Sequence, residues 1–292
     1  MRIDDVRTVL IVGAGTMGQQ IGLQCAMYGY NVTLYDISQS ALRAATERVK
    51  AYAAHLVTWG RRTQQEADAT LARIGTTSDA AEAAVKADIL SESVPEDPAL
   101  KGMILAQFNN LCPRHTIFTT NTSTLLPSMF AEATGRPSQF AALHFHQHVW
   151  EANVVDIMPH PGTSQATMEL LRAFAESIGQ MPIVLKKEHS GYVFNAMLRG
   201  LNRAALALLV NDVASVEDID RAWTGVTKML FGPFGMLDGI GLDLAWHILE
   251  SEAKMGGDPQ LQAHAALLKQ YVDKGWLGLK SGRGFYNYTN PT

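Results

Sequence analysis

Residues 9–22 read VLIVGAGTMGQQIG: a short apolar run, three spaced glycines, then the start of a helical pattern. Gly13, Gly15 and Gly18 form G-x-G-x-x-G between an expected strand over 8–12 and an expected helix over 17–28. Each position asks for glycine for its own reason. Gly13 allows a tight turn, Gly15 lets a pyrophosphate approach the backbone, and Gly18 lets helix and strand pack closely. The unpaired N–H groups and positive dipole end of the helix then face the pyrophosphate. A second expected strand, NVTLYD over 31–36, ends in Asp36. A carboxylate there accepts hydrogen bonds from a ribose diol and repels a 2′-phosphate, which favours NAD over NADP. The plain alternative is a glycine-rich turn with no ligand. The order strand, turn, helix, strand, acid weighs against it.

Outward from this motif, short apolar runs alternate with helical patterns as far as residue 186, the βαβ signature of a parallel sheet covered by helices. Further strands are expected over 87–93, 116–120, 140–145, 153–158 and 182–186, and helices over 40–59, 64–74, 98–111 and 165–178. Beyond Lys187 the texture changes. Residues 190–211, 216–230, 241–255 and 259–274 carry apolar positions at helical spacing, punctuated by glycine and proline at 232–241, and only the terminal GFYNY resembles a strand. The expected architecture is therefore α/β: a doubly wound, Rossmann-type, mostly parallel sheet over 1–186, then a smaller all-helical domain over 187–292.

Composition limits the function classes. The 292 residues are 47% hydrophobic and 18% charged, which suits packed interiors and not a disordered chain. With 24 basic and 28 acidic side chains the net charge is −4, so nucleic acid is not an expected partner. Cys25 and Cys112 are too few for a disulfide framework or a four-thiolate zinc site. The start, MRIDDVRTVLIVGAG, is acidic where a signal peptide carries positive charge, and no apolar run nears the ~20 residues of a membrane span. A cytoplasmic location and no membrane partner are expected.

Ligands of an open parallel sheet bind beyond the carboxyl ends of its strands. Asn121, Thr122 and Ser123 follow the strand over 116–120, His144 lies in the strand over 140–145, Asp156 lies in the next, and Asn195 stands on the first helix of the second domain. Oxidising an alcohol with NAD⁺ needs a base for the hydroxyl proton, a task for neutral histidine near pH 7. A carboxylate on its other ring nitrogen fixes the tautomer and stabilises the imidazolium. Ser123 and Asn195 are suited to hydrogen-bonding the substrate oxygens. Ser123 also reads as a cap for a helix beginning near Thr124, although the Asn-Thr-Ser context favours the site.

Several motifs, in order, resemble the 3-hydroxyacyl-CoA dehydrogenase family: GAGTMG, Asp36, TTNTSTL (119–125), ALHF (142–145), SGYVFN (190–195), FGPFGMLDGIGLD (231–243) and SGRGFYNY (281–288). The resemblance covers essentially the whole chain. It implies that His144, Asp156, Ser123 and Asn195 are catalytic, with the carboxylate partner twelve residues beyond the histidine. It also implies an NAD domain followed by a helical domain that carries a dimer contact. Thr16, Met17, Glu96, Lys101 and Asn121 join Gly13, Gly15, Gly18 and Asp36 as cofactor-binding candidates. The expected reaction interconverts a 3-hydroxyacyl substrate and its 3-keto form, with 3-hydroxybutyryl-CoA as the first substrate.

The departures bear on the substrate. Where the family has HFFNP this chain has His144-Phe145-His146-Gln147-His148, and Asp156 stands for the usual Glu, one methylene shorter. The shorter arm is expected to need a backbone shift or a bridging water. The family's acyl-CoA members meet the CoA phosphates with a lysine-rich second helix. Here that segment holds only Arg43, Arg48 and Lys50 before Arg61 and Arg62. Features of the gulonate 3-dehydrogenase (lambda-crystallin) branch, MPHPGT among them, and the existence of a carnitine dehydrogenase branch keep a free 3-hydroxy acid as the alternative. An altered NAD-binding sensor is a further one. His144, His146 and His148 alternate and would share a strand face, yet the flanking pattern of a metal-binding barrel is absent and no metal is expected. His146 and His148 are expected to line the pocket or its rim, with Trp150.

Overall fold

The computed structural model describes residues 1–256 and 258–289, and the chain divides into two compact units, Met1–Val193 and Phe194–Thr292. The sequence reading drew this division at 186.

The first unit runs β1 (Thr8–Val12), α1 (Thr16–Met27), β2 (Asn31–Tyr35), α2 (Gln39–Thr58), α3 (Gln64–Leu71), β3 (Ile74–Thr77), α4 (Ala80–Ala84), β4 (Ile89–Glu92), α5 (Pro98–Asn109), β5 (Ile117–Thr120), β6 (Phe140–Phe145), β7 (Val154–Met158), α6 (Gln165–Ser177) and β8 (Met181–Val184). Its eight strands lie in the order β3-β2-β1-β4-β5-β6-β7-β8. Every neighbouring pair is parallel except β6–β7, which is antiparallel. The order reverses between β1 and β4, and that switch point is where a doubly wound sheet opens its ligand crevice.

Strand alternation accounts for the two layers of core. Val9 and Ile11 of β1 pack with α1, α2 and α6 residues such as Ile21, Val49 and Phe174, while Leu10 and Val12 pack on the other face with Leu105 and Phe108 of α5. A sheet covered on both faces explains why these strands read as continuous apolar runs.

Two elements of this unit were not foreseen. The helix expected over 64–74 ends at Leu71, and Ile74 instead opens the edge strand β3. Gly75 and Thr76 are exposed there, so β3 carries no apolar run to announce it. The five-residue α4 is started by Asp79, whose carboxylate accepts from Ala81 N and Glu82 N at 2.8 and 3.1 Å. Conversely, no helix begins near Thr124. Residues 123–125 are bends leading to a 3₁₀ turn, Pro127–Met129, so Ser123 caps no helix.

The second unit is α7 (Phe194–Val210), α8 (Val216–Thr227), α9 (Pro233–Ile240), α10 (Leu242–Gly256) and α11 (Pro259–Val272). Helix α9 occupies the stretch read as punctuation. Proline is tolerated at its first turn because the N–H it lacks would be unpaired there. The Asp220 carboxylate, from α8, accepts from Phe234 N at 2.9 Å and Gly235 N at 3.0 Å and so caps α9 from a distance. The terminal GFYNY forms no strand beyond isolated bridges. Phe285 N and Tyr286 N donate instead to the Asp238 carboxylate, both at 2.9 Å. Among the described residues no helix is long and apolar enough to cross a membrane.

Candidate active site

The G-x-G-x-x-G turn has the geometry its glycines require. Gly13 follows β1 at φ +105°, and a Cβ there would lie 2.6 Å from the Ser93 carbonyl oxygen. A Cβ on Gly18 would run into the Gly13 carbonyl oxygen, whereas one on Gly15 would meet nothing within 4 Å. The backbone is thus pressed together at 13 and 18 and open at 15, the side on which α1 begins. Gly15 and Thr16 are exposed and Met17 half-buried, and the first N–H groups of a helix have no intrahelical partner. Asp36, just past β2, accepts from Ala14 N at 3.1 Å and Ser38 N at 2.9 Å, which ties its carboxylate to the turn. This arrangement fits a dinucleotide with its pyrophosphate over Gly15 and a ribose at Asp36.

The catalytic candidates of the first unit gather just past β5, near the end of β6 and in the middle of β7. The antiparallel register sets His144 directly opposite Asp156. Cross-strand neighbours hold their Cβ atoms about 4.5–5.5 Å apart, so even a short carboxylate reaches the ring. Asp156 Oδ2 lies 3.2 Å from His144 Nδ1, and neither the backbone shift nor the bridging water is required. His144 Nε2 lies 3.2 Å from Ser123 Oγ. His144 is 4% exposed and Asp156 1%, while Ser123 is exposed, so the chain of contacts runs from the interior to the surface. Burial pushes the Asp156 carboxyl upward, but hydrogen bonds and charge from His144 and His146 outweigh it and hold the group below the ordinary carboxylate range.

The loop that carries Ser123 is braced from beneath. Glu96 Oε1 accepts from Ser123 N, Thr124 N and Thr124 Oγ1, each at 3.0 Å, and from the Thr122 hydroxyl. Lys101 is buried; its ammonium lies 2.8 Å from Glu92 Oε1, 3.1 Å from the Val94 carbonyl and 3.4 Å from Glu96 Oε2. Burial pushes Glu92 above its ordinary value despite that ammonium. Asn121 Oδ1 accepts from Phe145 N at 2.8 Å, linking the ends of β5 and β6. Of the cofactor candidates, then, Glu96 and Lys101 form one network under the loop, Asn121 ties β5 to β6, and Gly13, Gly15, Thr16, Met17, Gly18 and Asp36 belong to the turn and the end of β2. Asn195 lies on α7, in the second unit.

Two further residues contact this group. Tyr192 stacks on the His144 ring, centroids 4.5 Å apart and planes within 8°, and its hydroxyl donates to the Thr122 carbonyl at 2.6 Å. Its signal was the Gly-aromatic pair of SGYVFN: Gly191 and Tyr192 both take positive φ, and the helix expected from 190 starts only at Phe194. The other is His146, whose Nε2 lies 3.1 Å from the same Asp156 Oδ2. His144, His146 and Asp156 offer ligand atoms within 4.8 Å of one another, and the two imidazoles meet the carboxylate directly. His148 does not share their face. The strand ends at Phe145, and His148 takes φ +62°, is exposed, and donates its N–H to Gln20 Oε1 at 2.7 Å. Its ring lies edge-on to Trp150, 6.4 Å away.

Comparison with known proteins gives the family. Residues 8–189 match the NAD-binding domain of 3-hydroxyacyl-CoA dehydrogenase, and residues 191–288 match the C-terminal domain of the same enzyme. The chain belongs to the 3-hydroxyacyl-CoA dehydrogenase family. It is an NAD-dependent oxidoreductase. A protein of Bacillus subtilis (strain 168) named "Probable 3-hydroxybutyryl-CoA dehydrogenase" is 33% identical over 99% of each chain. Among solved structures, a diketoreductase described by its substrate-directed dual catalysis of dicarbonyl compounds is 40% identical, with a TM-score of 0.89 over 97% of this chain and 99% of that one. An (S)-3-hydroxybutyryl-CoA dehydrogenase from Ralstonia eutropha is 31% identical, also with a TM-score of 0.89, over 98% of this chain and 100% of that one.

Proposed function

We propose that the chain interconverts a short 3-hydroxyacyl-CoA, with 3-hydroxybutyryl-CoA as the first substrate, and its 3-keto form. The contact chain Ser123–His144–Asp156 beside an NAD-binding turn carries this reading. NAD⁺, when bound, supplies the hydride acceptor; Gly13, Gly15, Thr16, Met17 and Gly18 hold its pyrophosphate and Asp36 a ribose. Ser123 Oγ positions the substrate hydroxyl. His144 Nε2 takes the hydroxyl proton in oxidation and returns it in reduction, while Asp156 keeps the Nδ1 proton in place and stabilises the imidazolium. Asn195 is assigned to the substrate carbonyl on the strength of the resemblance. Asn121, Glu96 and Lys101 hold the Ser123 loop on the cofactor side.

A second reading, without CoA, has two supports. One is the 40% identity to a diketoreductase that acts on dicarbonyl compounds. The other is the thin positive charge of α2 and the turn after it: α2 carries Arg43, Arg48 and Lys50, the last paired with Glu47 at 2.9 Å, and beyond its end the Arg61 and Arg62 guanidiniums lie over Trp59 and Tyr28 at 6.0 and 5.8 Å. A panel followed by NADH absorbance separates the readings. The CoA reading predicts that 3-hydroxybutyryl-CoA gives a higher kcat/KM than gulonate, carnitine or, in the reverse direction, a free dicarbonyl. The opposite order contradicts it, and no turnover by any substrate leaves an NAD-binding sensor.

The proposal extends to a cytoplasmic homodimer acting in fatty acid metabolism. Both cysteines are free and buried, as suits a reducing compartment. The second unit exposes Val226 at 83%, Leu230 at 90% and Phe231 at 59%, an apolar face suited to a second copy of the chain.

A further inference from the structure

We infer that His146 is a positioning residue for the reaction, pinning the short Asp156 carboxylate against His144. This deepens the proposed dehydrogenase reading and rests on it. The backbone of Asp156 is fixed by its place opposite His144 in the β6–β7 pair, so only side-chain torsions decide where Oδ2 points. The terminal torsion of an aspartate is broad and roughly two-fold, so one hydrogen bond defines it poorly. A second donor on the same oxygen removes that freedom. His146 supplies it from just beyond the end of β6, two residues after His144 and on the same side of the chain. Its Nε2 lies 3.1 Å from Oδ2, and its ring stands edge-on to that of His144, centroids 4.9 Å apart and planes at 73°.

Proton accounting agrees with this arrangement. An ionised carboxylate only accepts, so both imidazoles donate to it, His144 through Nδ1–H and His146 through Nε2–H. His144 Nε2 is then left as the acceptor, facing Ser123 Oγ at 3.2 Å. When Nε2 takes the substrate proton His144 becomes an imidazolium, Asp156 stays ionised, and His146 neither gains nor loses a proton.

Two substitutions test the role in the full chain, with whichever substrate the unaltered protein turns over fastest. His146→Phe keeps a ring of similar size and removes the donor. His146→Gln loses the ring but places an amide N–H near the position of Nε2. A positioning role predicts that His146→Phe lowers kcat by ~10–100-fold, the scale of a misplacement of about 1 Å, with KM and the NADH Kd within about twofold of the unaltered values. It predicts that His146→Gln retains kcat within about fivefold. A ring that merely packs predicts the reverse order. Unchanged kcat in His146→Phe, or an equal fall in both variants, overturns the inference alone. Should the Phe variant not fold, as judged by lost NADH binding, a large fall in His146→Gln overturns it and retained turnover supports it. No turnover by the unaltered protein overturns the functional reading and this inference together.

Discussion

Asp36 and Asp156 illustrate how the same side chain serves two tasks according to what donates to it. Asp36 is half-buried and held by two backbone N–H groups at the mouth of the dinucleotide turn. Charge-assisted hydrogen bonds are worth about 1.5–3 kcal/mol, so Asp36→Ala is expected to weaken NADH binding by roughly 10–100-fold, as fluorescence titration would show. Asp156 is enclosed and held by two imidazoles. Ser123 and His144 could be singled out because they fall at or near strand ends and suit the steps of hydroxyl oxidation, and Asp156 through the resemblance. Their distances were not legible in the sequence. The expectation of a water or a shifted backbone for Asp156 came from counting methylenes, whereas the antiparallel register, which sets the separation, is a property of strand pairing. His146 was visible only as part of an alternation; that it shares Oδ2 with His144 depends on where β6 stops.

At the scale of elements, apolar patterning worked where burial was strong and failed where it was weak. The strands β1 and β6 are buried along most of their length and read as mainly apolar runs. The edge strand β3 has none, and α9 was hidden by the glycines and proline that begin and line it. Its cap comes from Asp220, fourteen residues upstream of Phe234, a contact that no local pattern reveals. Helix α11 carries another feature that only packing shows: His264 is 1% exposed, and neither ring nitrogen has a hydrogen-bond partner among the described residues. Burial holds it below its ordinary value of 6.5, with Asp258 opposing and Arg203 adding to the effect. The unfolded chain therefore takes up this proton at a higher pH than the fold does. Stability is unaffected by it well above pH 6.5 and falls as the pH drops below that value, until the folded-state pKa is reached. Urea unfolding across pH 7.5 to 4.5 checks this: His264→Leu is expected to flatten the acid slope of the midpoint, and an unchanged slope would assign the acid sensitivity to other groups.

For the molecule as a whole, the change from alternating to purely helical texture foretold two kinds of architecture in one chain. The all-helical unit keeps large apolar side chains exposed among its residues, Leu230 foremost, although its own core is built from others such as Leu206, Phe234 and Leu268. A homodimer through this face predicts that Leu230→Glu shifts the protein to a monomer in light scattering, because burying an unpaired carboxylate costs several kcal/mol. An unaltered mass would place the contact elsewhere. Composition alone could not identify such a face, since an exposed leucine is ordinary until its neighbours in space are known.

If His144 exchanges the substrate proton in NAD-dependent oxidation, turnover of His144→Ala is the measurement most sensitive to it. Positioned general acid–base groups contribute about 10²–10⁴-fold, so kcat measured by NADH absorbance is expected to fall by that factor while NADH still binds with unchanged Kd. Near-normal turnover with the variant would contradict the assignment.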